Sequence, residues 1–319
     1  MNGPTEVRVF APATVGNVIC GFDVFGLALE APGDEVVARR TDAPGVSLLS
    51  IQGDGGRLPT DPGRNAATAA AAAVLQRSGL EGGLEMEVYK GLPIASGMGG
   101  SAASSVAGAV AAAAVLQGEM ALPDLLVCAL EGERAAVGSG HADNAAPALH
   151  GGIVLVRPGP RPDVVPLPVP DGTAVALVHP PLETETGASR RALEDRIPLQ
   201  TAVSQWANTA AFVAGLYQED WDLVSRSLVD HVAEPIRSAS VPGFAAARDA
   251  AVESGAVGAG LSGSGPSLFA LCRSLDDARA AGRAMVEAFA RKGMSGVVSH
   301  VSPVGRRGAR VVGHAGRSS

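Results

Sequence analysis

Residues able to do chemistry cluster in a few short stretches, and the densest runs from Gly91 to Ser105. It reads Gly91-Leu-Pro93-Ile-Ala95-Ser96-Gly97-Met98-Gly99-Gly100-Ser101-Ala102 and continues into small residues to Leu116. Pro93 fixes one φ angle early, while the glycines let the backbone bend closely round a ligand. A helix is expected from Ser101 to Leu116. Its first amides have no intrahelical partner and lie at the positive end of its dipole. That arrangement suits phosphate. The plainer explanation of such a Gly/Ala/Ser run is a closely packed helix.

Two phosphate-binding patterns can be set aside. The P-loop ends in Gly-Lys-Ser/Thr, and no lysine stands there. The dinucleotide pattern G-x-G-x-x-A is formally met by Gly97 to Ala102, but the next element reads as a second helix, Leu122 to Glu131, instead of a strand tipped by an acid. The strand before the loop, Leu84 to Lys90, alternates apolar and polar residues, so one face alone is buried.

Other polar groups stand in four stretches. Asn17 and Asp23 punctuate an apolar, glycine-rich loop from Pro12 to Leu29, a setting that holds polar groups against a ligand; turn or capping roles fit them equally well. Glu131 and Glu133 precede Ser139-Gly-His141-Ala-Asp143-Asn144-Ala-Ala-Pro147. There a histidine beside Asp-Asn fits a helix N-cap better than a catalytic group. Thr186 and Arg190 fall one helical turn apart on one face. Arg237 follows Glu234-Pro-Ile, and a single arginine is usually solvated.

Taken together and in order, these stretches resemble the GHMP kinases and, within that superfamily, the homoserine kinases. Pro93 to Ala103 is similar to the signature P-x-x-x-G-L-G-S-S-A-A/S, with Met98 for Leu and Gly100 for the first Ser. Pro12 to Ala28 resembles the N-terminal homoserine kinase signature through Asn17 and Gly-Phe-Asp23. Gly16 there replaces the usual Ala, and Ile19-Cys20 replaces Gly-Pro or similar; both changes are expected to alter loop stiffness without touching the polar groups. Ala256 to Ala270 resembles the third superfamily signature, and Gly308-Ala-Arg-Val-Val312 the closing strand. The likeness spans about residues 5–313.

The resemblance implies an ATP-dependent kinase acting on the side-chain hydroxyl of L-homoserine, a step towards threonine. It implies nucleotide contacts at Pro93, Ala95, Ser96, Gly97, Met98, Gly99, Gly100, Ser101 and Ala102, and magnesium on Ser101 and Glu133, hard oxygen ligands of the kind that ion prefers. Asn17, Asp23, His141, Asp143, Thr186, Arg190, Arg237 and Gly263 would contact the amino acid. Ser101, Glu133, Asp143 and Asn144 form the implied catalytic set. Asp143 could be a base or an anchor for the substrate ammonium; we assign it, with Asp23, to the ammonium. Rival readings are a relative phosphorylating mevalonate or a sugar, and a non-catalytic sensor of the same fold.

The elements that must position these groups follow from composition and pattern. A length of 319 residues suggests two domains, and 46% apolar with 3% aromatic residues means cores of Ala, Val and Leu. A net charge of −7 argues against a nucleic-acid surface. Three scattered cysteines suggest neither disulfides nor zinc. No leader or membrane span is apparent, so a cytoplasmic protein is expected. Strands are expected at Val7–Ala11, Glu35–Arg40, Val46–Ile51, Thr173–His179 and Val297–Val301, with a hairpin at Gly152–Val156 and Asp163–Leu167. Helices are expected from Asn65 to Ser78 and at Gln200–Tyr217, Trp221–Asp230, Pro242–Ser254 and Leu275–Lys292. The tail to Ser319 reads as frayed.

The fold implied is α+β in two parts. One is an N-terminal domain like ribosomal protein S5 domain 2, over residues 1–170, with its closing strand at 308–313. The other is a ferredoxin-like domain over 171–307. A homodimer is implied as well.

Overall fold

The structure, a computed structural model, describes residues 4–118 and 120–315, so the tail beyond 315 lies outside the described residues. Among the described residues the chain builds two sheets. The larger takes β1 (Glu6–Gly16), β2 (Phe25–Thr41), β3 (Gly45–Gln52), β4 (Gly83–Tyr89), β5 (Ile153–Arg157), β6 (Asp163–Leu167) and β11 (Arg310–Ala315). Its main path runs β11-β1-β2-β4-β3, and β5 carries β6 off the near end of β2. Only β3 and β4 run parallel, so this is no doubly wound nucleotide fold. Leu84, Met86 and Val88 of β4 face the core and Glu85 and Glu87 do not, as the alternation requires.

Helices α1 (Ala66–Ser78), α2 (Gly100–Leu116), α3 (Leu122–Val137) and α4 (Ala142–His150) pack with this sheet. Asn65 caps α1 by accepting the Ala67 amide at 3.1 Å, and Gly79 closes it at φ 63°. The scarcity of aromatic residues has a structural counterpart. A Cβ on Gly108 of α2 would lie 2.3 Å from the Ala67 carbonyl, and one on Gly132 of α3 would lie 2.4 Å from that of Ala66. These helices touch backbone to backbone, which leaves room only for small residues.

The second sheet has the order β10 (Val298–Pro303), β7 (Ala174–His179), β9 (Leu268–Cys272), β8 (Gly258–Leu261), antiparallel throughout. Between β7 and β8 lie α5 (Thr186–Arg191), α6 (Leu199–Gln218), α7 (Trp221–Ser227), α8 (Glu234–Arg237) and α9 (Phe244–Glu253); α10 (Leu275–Arg291) joins β9 to β10. Numbered within the sheet, the strand order is 4-1-3-2, the ferredoxin-like arrangement. β7 explains its own unbroken apolar run. Val175 and Leu177 enter the core shared with the larger sheet, whereas Ala174, Ala176 and Val178 enter the core under α9 and α10.

Several boundaries differ from expectation. β1 runs to Gly16 and β2 begins at Phe25, so the expected loop from Pro12 to Leu29 shrinks to residues 17–24. Prolines and small residues hid those strand ends, and the β1–β2 register shifts between Pro12 and Thr14. α7 stops at Ser227, three residues early: Leu228 leaves the helical region with its amide on Ser225 O, and Asp230 accepts the amides of Val232, Ala233 and Glu234 at the start of α8 instead of continuing the helix.

Candidate active site

The glycine-rich loop lies between the two sheets. Gly97 and Gly99 take φ 79° and 69°, conformations that favour glycine. A Cβ at Gly97 would stand 2.6 Å from the Gly265 carbonyl, so glycine is also needed for room. The loop's carbonyls are gripped from the second sheet. Ser96 O accepts the Ser267 amide at 3.1 Å and its hydroxyl at 2.6 Å; Gly97 O accepts Ser262 Oγ at 2.7 Å; Ala95 O accepts the Thr184 amide at 3.0 Å. The Thr14 amide holds Met98 O at 3.1 Å from β1. With its carbonyls occupied, the loop is free to offer amides. No side chain caps α2 at Gly99, and its N-terminus opens on a cavity of about 670 Å³.

Ser101 and Glu133 meet at that cavity. The Ser101 hydroxyl is buried, makes no well-formed hydrogen bond, and lies close enough to the Glu133 carboxyl to oppose that group's upward shift. Glu133 is 2% exposed, and its Oε2 accepts the His141 amide at 2.7 Å. Burial, the largest influence, pushes the Glu133 carboxyl up to about 8; the charge on Asp143 adds to this and the His141 amide opposes it. A buried carboxyl penalised in this way beside a buried hydroxyl with no partner but that carboxyl fits a hard cation. Among the described residues no cluster of three His, Cys, Asp or Glu side chains could hold a metal alone, so any ion here would need further oxygens from a ligand or water.

The opposite wall carries charged side chains. Asp23 pairs with Arg190 at 2.5 Å, and the guanidinium groups of Arg190 and Arg237 lie 5.1 and 5.3 Å from the Phe22 ring centroid. Arg190 is half exposed, on a short helix with no buried residue. Arg237 is buried; its Nη1 donates to Gly263 O at 3.2 Å while Nε has no partner. Asn17 donates to Gly263 O at 3.1 Å and accepts the Asp23 amide at 3.0 Å, so its amide ties the loops together. Asn17, Val18, Ile19 and Asp23 all have positive φ, a concentration of strain typical of binding sites.

Asp143, at the start of α4, is 5% exposed and is pushed up to about 7, chiefly by burial and then by the charge on Asp23. Thr14 Oγ1 donates to Asn144 Oδ1 at 3.0 Å, so the Asn144 amino group faces the Asp143 carboxyl, whose upward shift its hydrogen bond opposes. His141 occupies the N-cap position of α4 but makes no side-chain cap; its Nε2 lies 3.2 Å from Ser139 Oγ, and burial lowers its pKa.

Every residue expected at the site lies in the wall of this one cavity apart from Met98, whose side chain is wholly buried in the core. One expectation is overturned. Gly16 bears directly on polar groups, since a Cβ there would sit 2.6 Å from both Asp143 Oδ2 and Asn144 Nδ2. Sequence reasoning missed Phe22, which lay inside a recognised motif, and the serines of the third glycine-rich loop. It also missed Lys90 and Asp34, although a lysine immediately before the loop and an acid inside a strand were visible signals.

Comparison with known proteins agrees with this geometry. The family description "GHMP kinases N terminal domain" matches residues 65–152, and "GHMP kinases C terminal" matches residues 212–291. The chain is 44% identical to a homoserine kinase of Chlorobium phaeobacteroides over 96% of its own length and 99% of the relative's. It is 45% identical to one of Chlorobium phaeovibrioides, with the same coverage. The crystal structure of a homoserine kinase from Cytophaga hutchinsonii superposes with a TM-score of 0.93 at 46% identity, covering 97% of this chain and 98% of that one. Likeness of this extent, over both sheets and the cavity between them, means that the chain belongs to the GHMP kinases and, within them, to the homoserine kinases.

Proposed function

We propose that the chain transfers the γ-phosphoryl group of ATP to the side-chain hydroxyl of L-homoserine. One observation carries this reading. A single cavity joins a helix N-terminus with free amides to a wall holding two arginines and two aspartates. The first half suits a triphosphate, and the second suits the carboxylate and ammonium of an amino acid.

Backbone amides between Ile94 and Ala102 and the dipole of α2 would hold the phosphates. Ser101 and Glu133 would hold magnesium, which supplies charge neutralisation of the phosphates when bound. Arg190 and Arg237 would take the substrate carboxylate. Asp23 and Asp143 would take the ammonium, whose positive end would otherwise be desolvated without a partner. Until the zwitterion arrives, Asp23 and Arg190 compensate each other. Asn17, His141, Thr186 and Gly263 shape the pocket, and Asn144 would donate to the acceptor hydroxyl or the moving phosphoryl group. A loose transition state needs little early proton removal, so Asp143 need not act as a base.

The division at residue 170 is supported by the change of sheet there. A cytoplasmic location is in keeping with three buried free cysteines and, among the described residues, no helix long and apolar enough to cross a membrane. Exposed Leu199, Trp206 and Tyr217 along α6 support self-association as a homodimer.

Coupled ADP release with L-homoserine, mevalonate and sugars tests the function; homoserine should be preferred. Asp143→Asn should chiefly raise the KM for homoserine. A turnover loss of roughly 10²–10⁴-fold at saturating substrate with unchanged KM would instead make Asp143 a base.

A further inference from the structure

Behind the phosphate loop lies a buried ion pair that the mechanism above does not use. Asp34 of β2 is fully buried and accepts four hydrogen bonds. Its Oδ1 takes the amides of Gly91 at 3.0 Å and Leu92 at 3.1 Å, where the loop begins. Its Oδ2 takes Ser104 Oγ at 2.7 Å and the ammonium of Lys90. Lys90 Nζ also donates to the Gly100 carbonyl and to Ser104 Oγ, both at 2.9 Å, where the loop ends in α2. Asp34 thus holds the start of the loop, Lys90 holds its end, and the two hold each other. Glycine at 91 makes the approach possible, because a Cβ there would stand 2.2 Å from the Gly33 carbonyl.

Stability alone does not account for this pair. A buried salt bridge is commonly no better than apolar residues of the same volume. A cation at the N-terminal turn of a helix also opposes the dipole. A lysine in that place is of use where a polyanion docks, and Lys90 and Ser104 both border the cavity.

We propose that Asp34 and Lys90 form a staple that fixes the two ends of the phosphate loop relative to each other and so positions the nucleotide triphosphate. This rests on the reading of that loop as the ATP site. Lys90 is a positioning residue and not a phosphate ligand, since its three protons are directed at Asp34, Gly100 O and Ser104 Oγ.

The test compares thermal stability and both Michaelis constants in Asp34→Asn, Lys90→Met and the double variant. Each single change leaves a charge or its partner unmatched and should lower Tm. The double variant is neutral at both positions and should regain most of the lost Tm. Its KM for ATP should nevertheless stay raised roughly tenfold, the range seen for residues that orient direct ligands. Its KM for homoserine should stay within about twofold of wild type. A double variant with recovered Tm and a wild-type KM for ATP would overturn the staple, as would equal rises in both constants. Ser104→Ala keeps both charges and removes only the hydroxyl between them, so it covers the case in which the double variant does not fold. It should raise the KM for ATP alone, and an unchanged value counts against the proposal. Ser101→Ala separates the two levels of inference. If it weakens ATP use while the staple variants do not, only the staple fails; if neither matters, the ATP assignment of the loop fails with it.

Discussion

The two walls of the cavity are built on opposite principles. The phosphate loop is held through its backbone, with carbonyls of Ala95, Ser96, Gly97 and Met98 each gripped by another segment and its ends tied by Asp34 and Lys90. The acceptor wall is held through side chains, among them an Asp23–Arg190 pair open to solvent and a strained turn. A triphosphate is the same for every kinase of this kind, and a fixed ring of amides suits it. An amino acid carries two charges that must be exchanged for internal partners as it enters, and adjustable side chains suit that. Rigidity is therefore expected on one side and adaptation on the other.

The largest expected effect lies where the walls meet. Glu133→Gln keeps an oxygen to accept the His141 amide but removes the carboxylate charge proposed to hold the cation. Turnover at low magnesium should fall at least roughly 10- to 100-fold, the loss typical of even an outer-shell ligand partner. The KM for homoserine should stay close to wild type, because the acceptor wall is untouched. Wild-type turnover by this variant at low magnesium would remove Glu133 from the proposed metal site and blur the division.

A second experiment sets the two arginines against each other. Arg237 is buried against Phe22 and bonded to Gly263 O, whereas Arg190 is half exposed. Lysine cannot reproduce the planar fork or the stacking. Arg237→Lys should raise the KM for homoserine roughly 10- to 100-fold, the worth of a buried charge-assisted bond. Arg190→Lys should raise it no more than about fivefold, since exposed pairs contribute little. Neither should change the KM for ATP. The reverse ranking would mean that the exposed arginine is the one that clamps.

Sequence pattern marked the elements that line the candidate site better than it marked their supports. The Gly97–Ser101 loop, the single-faced β4 strand and the doubly buried β7 strand were legible because glycine density and apolar alternation are local signals. Asp34, Ser262 and Ser267 reach partners 56 to 171 positions away, and although Lys90 and Asp34 are each visible in the sequence, nothing local marks their pairing. Gly16 was misjudged for the same reason, since the residues it makes room for lie in α4, far along the chain.

The smallest expected effect concerns how the acceptor wall is anchored. Glu234, at the start of the helix that carries Arg237, accepts the Leu261 amide at 2.8 Å, just before the loop containing Gly263. Burial pushes its carboxyl from 4.5 up to about 7; the Leu261 bond opposes the shift and the charge on Asp230 adds to it. Below the unfolded value the group is protonated in both states and has no effect. As pH rises from there towards 7, the unfolded chain has released a proton that the folded chain still holds, so folding stability declines. The decline should amount to about 1–3 kcal/mol, the lower end allowing for residual solvent contact. Glu234→Gln keeps an acceptor for Leu261 and has nothing to ionise. Its Tm should match wild type near pH 4, below the unfolded value, and exceed it by a few degrees near pH 8. A Tm difference that does not change across this range would show that Glu234 ionises as readily in the folded chain as in the unfolded one, so that the acceptor wall is not strained by its charge.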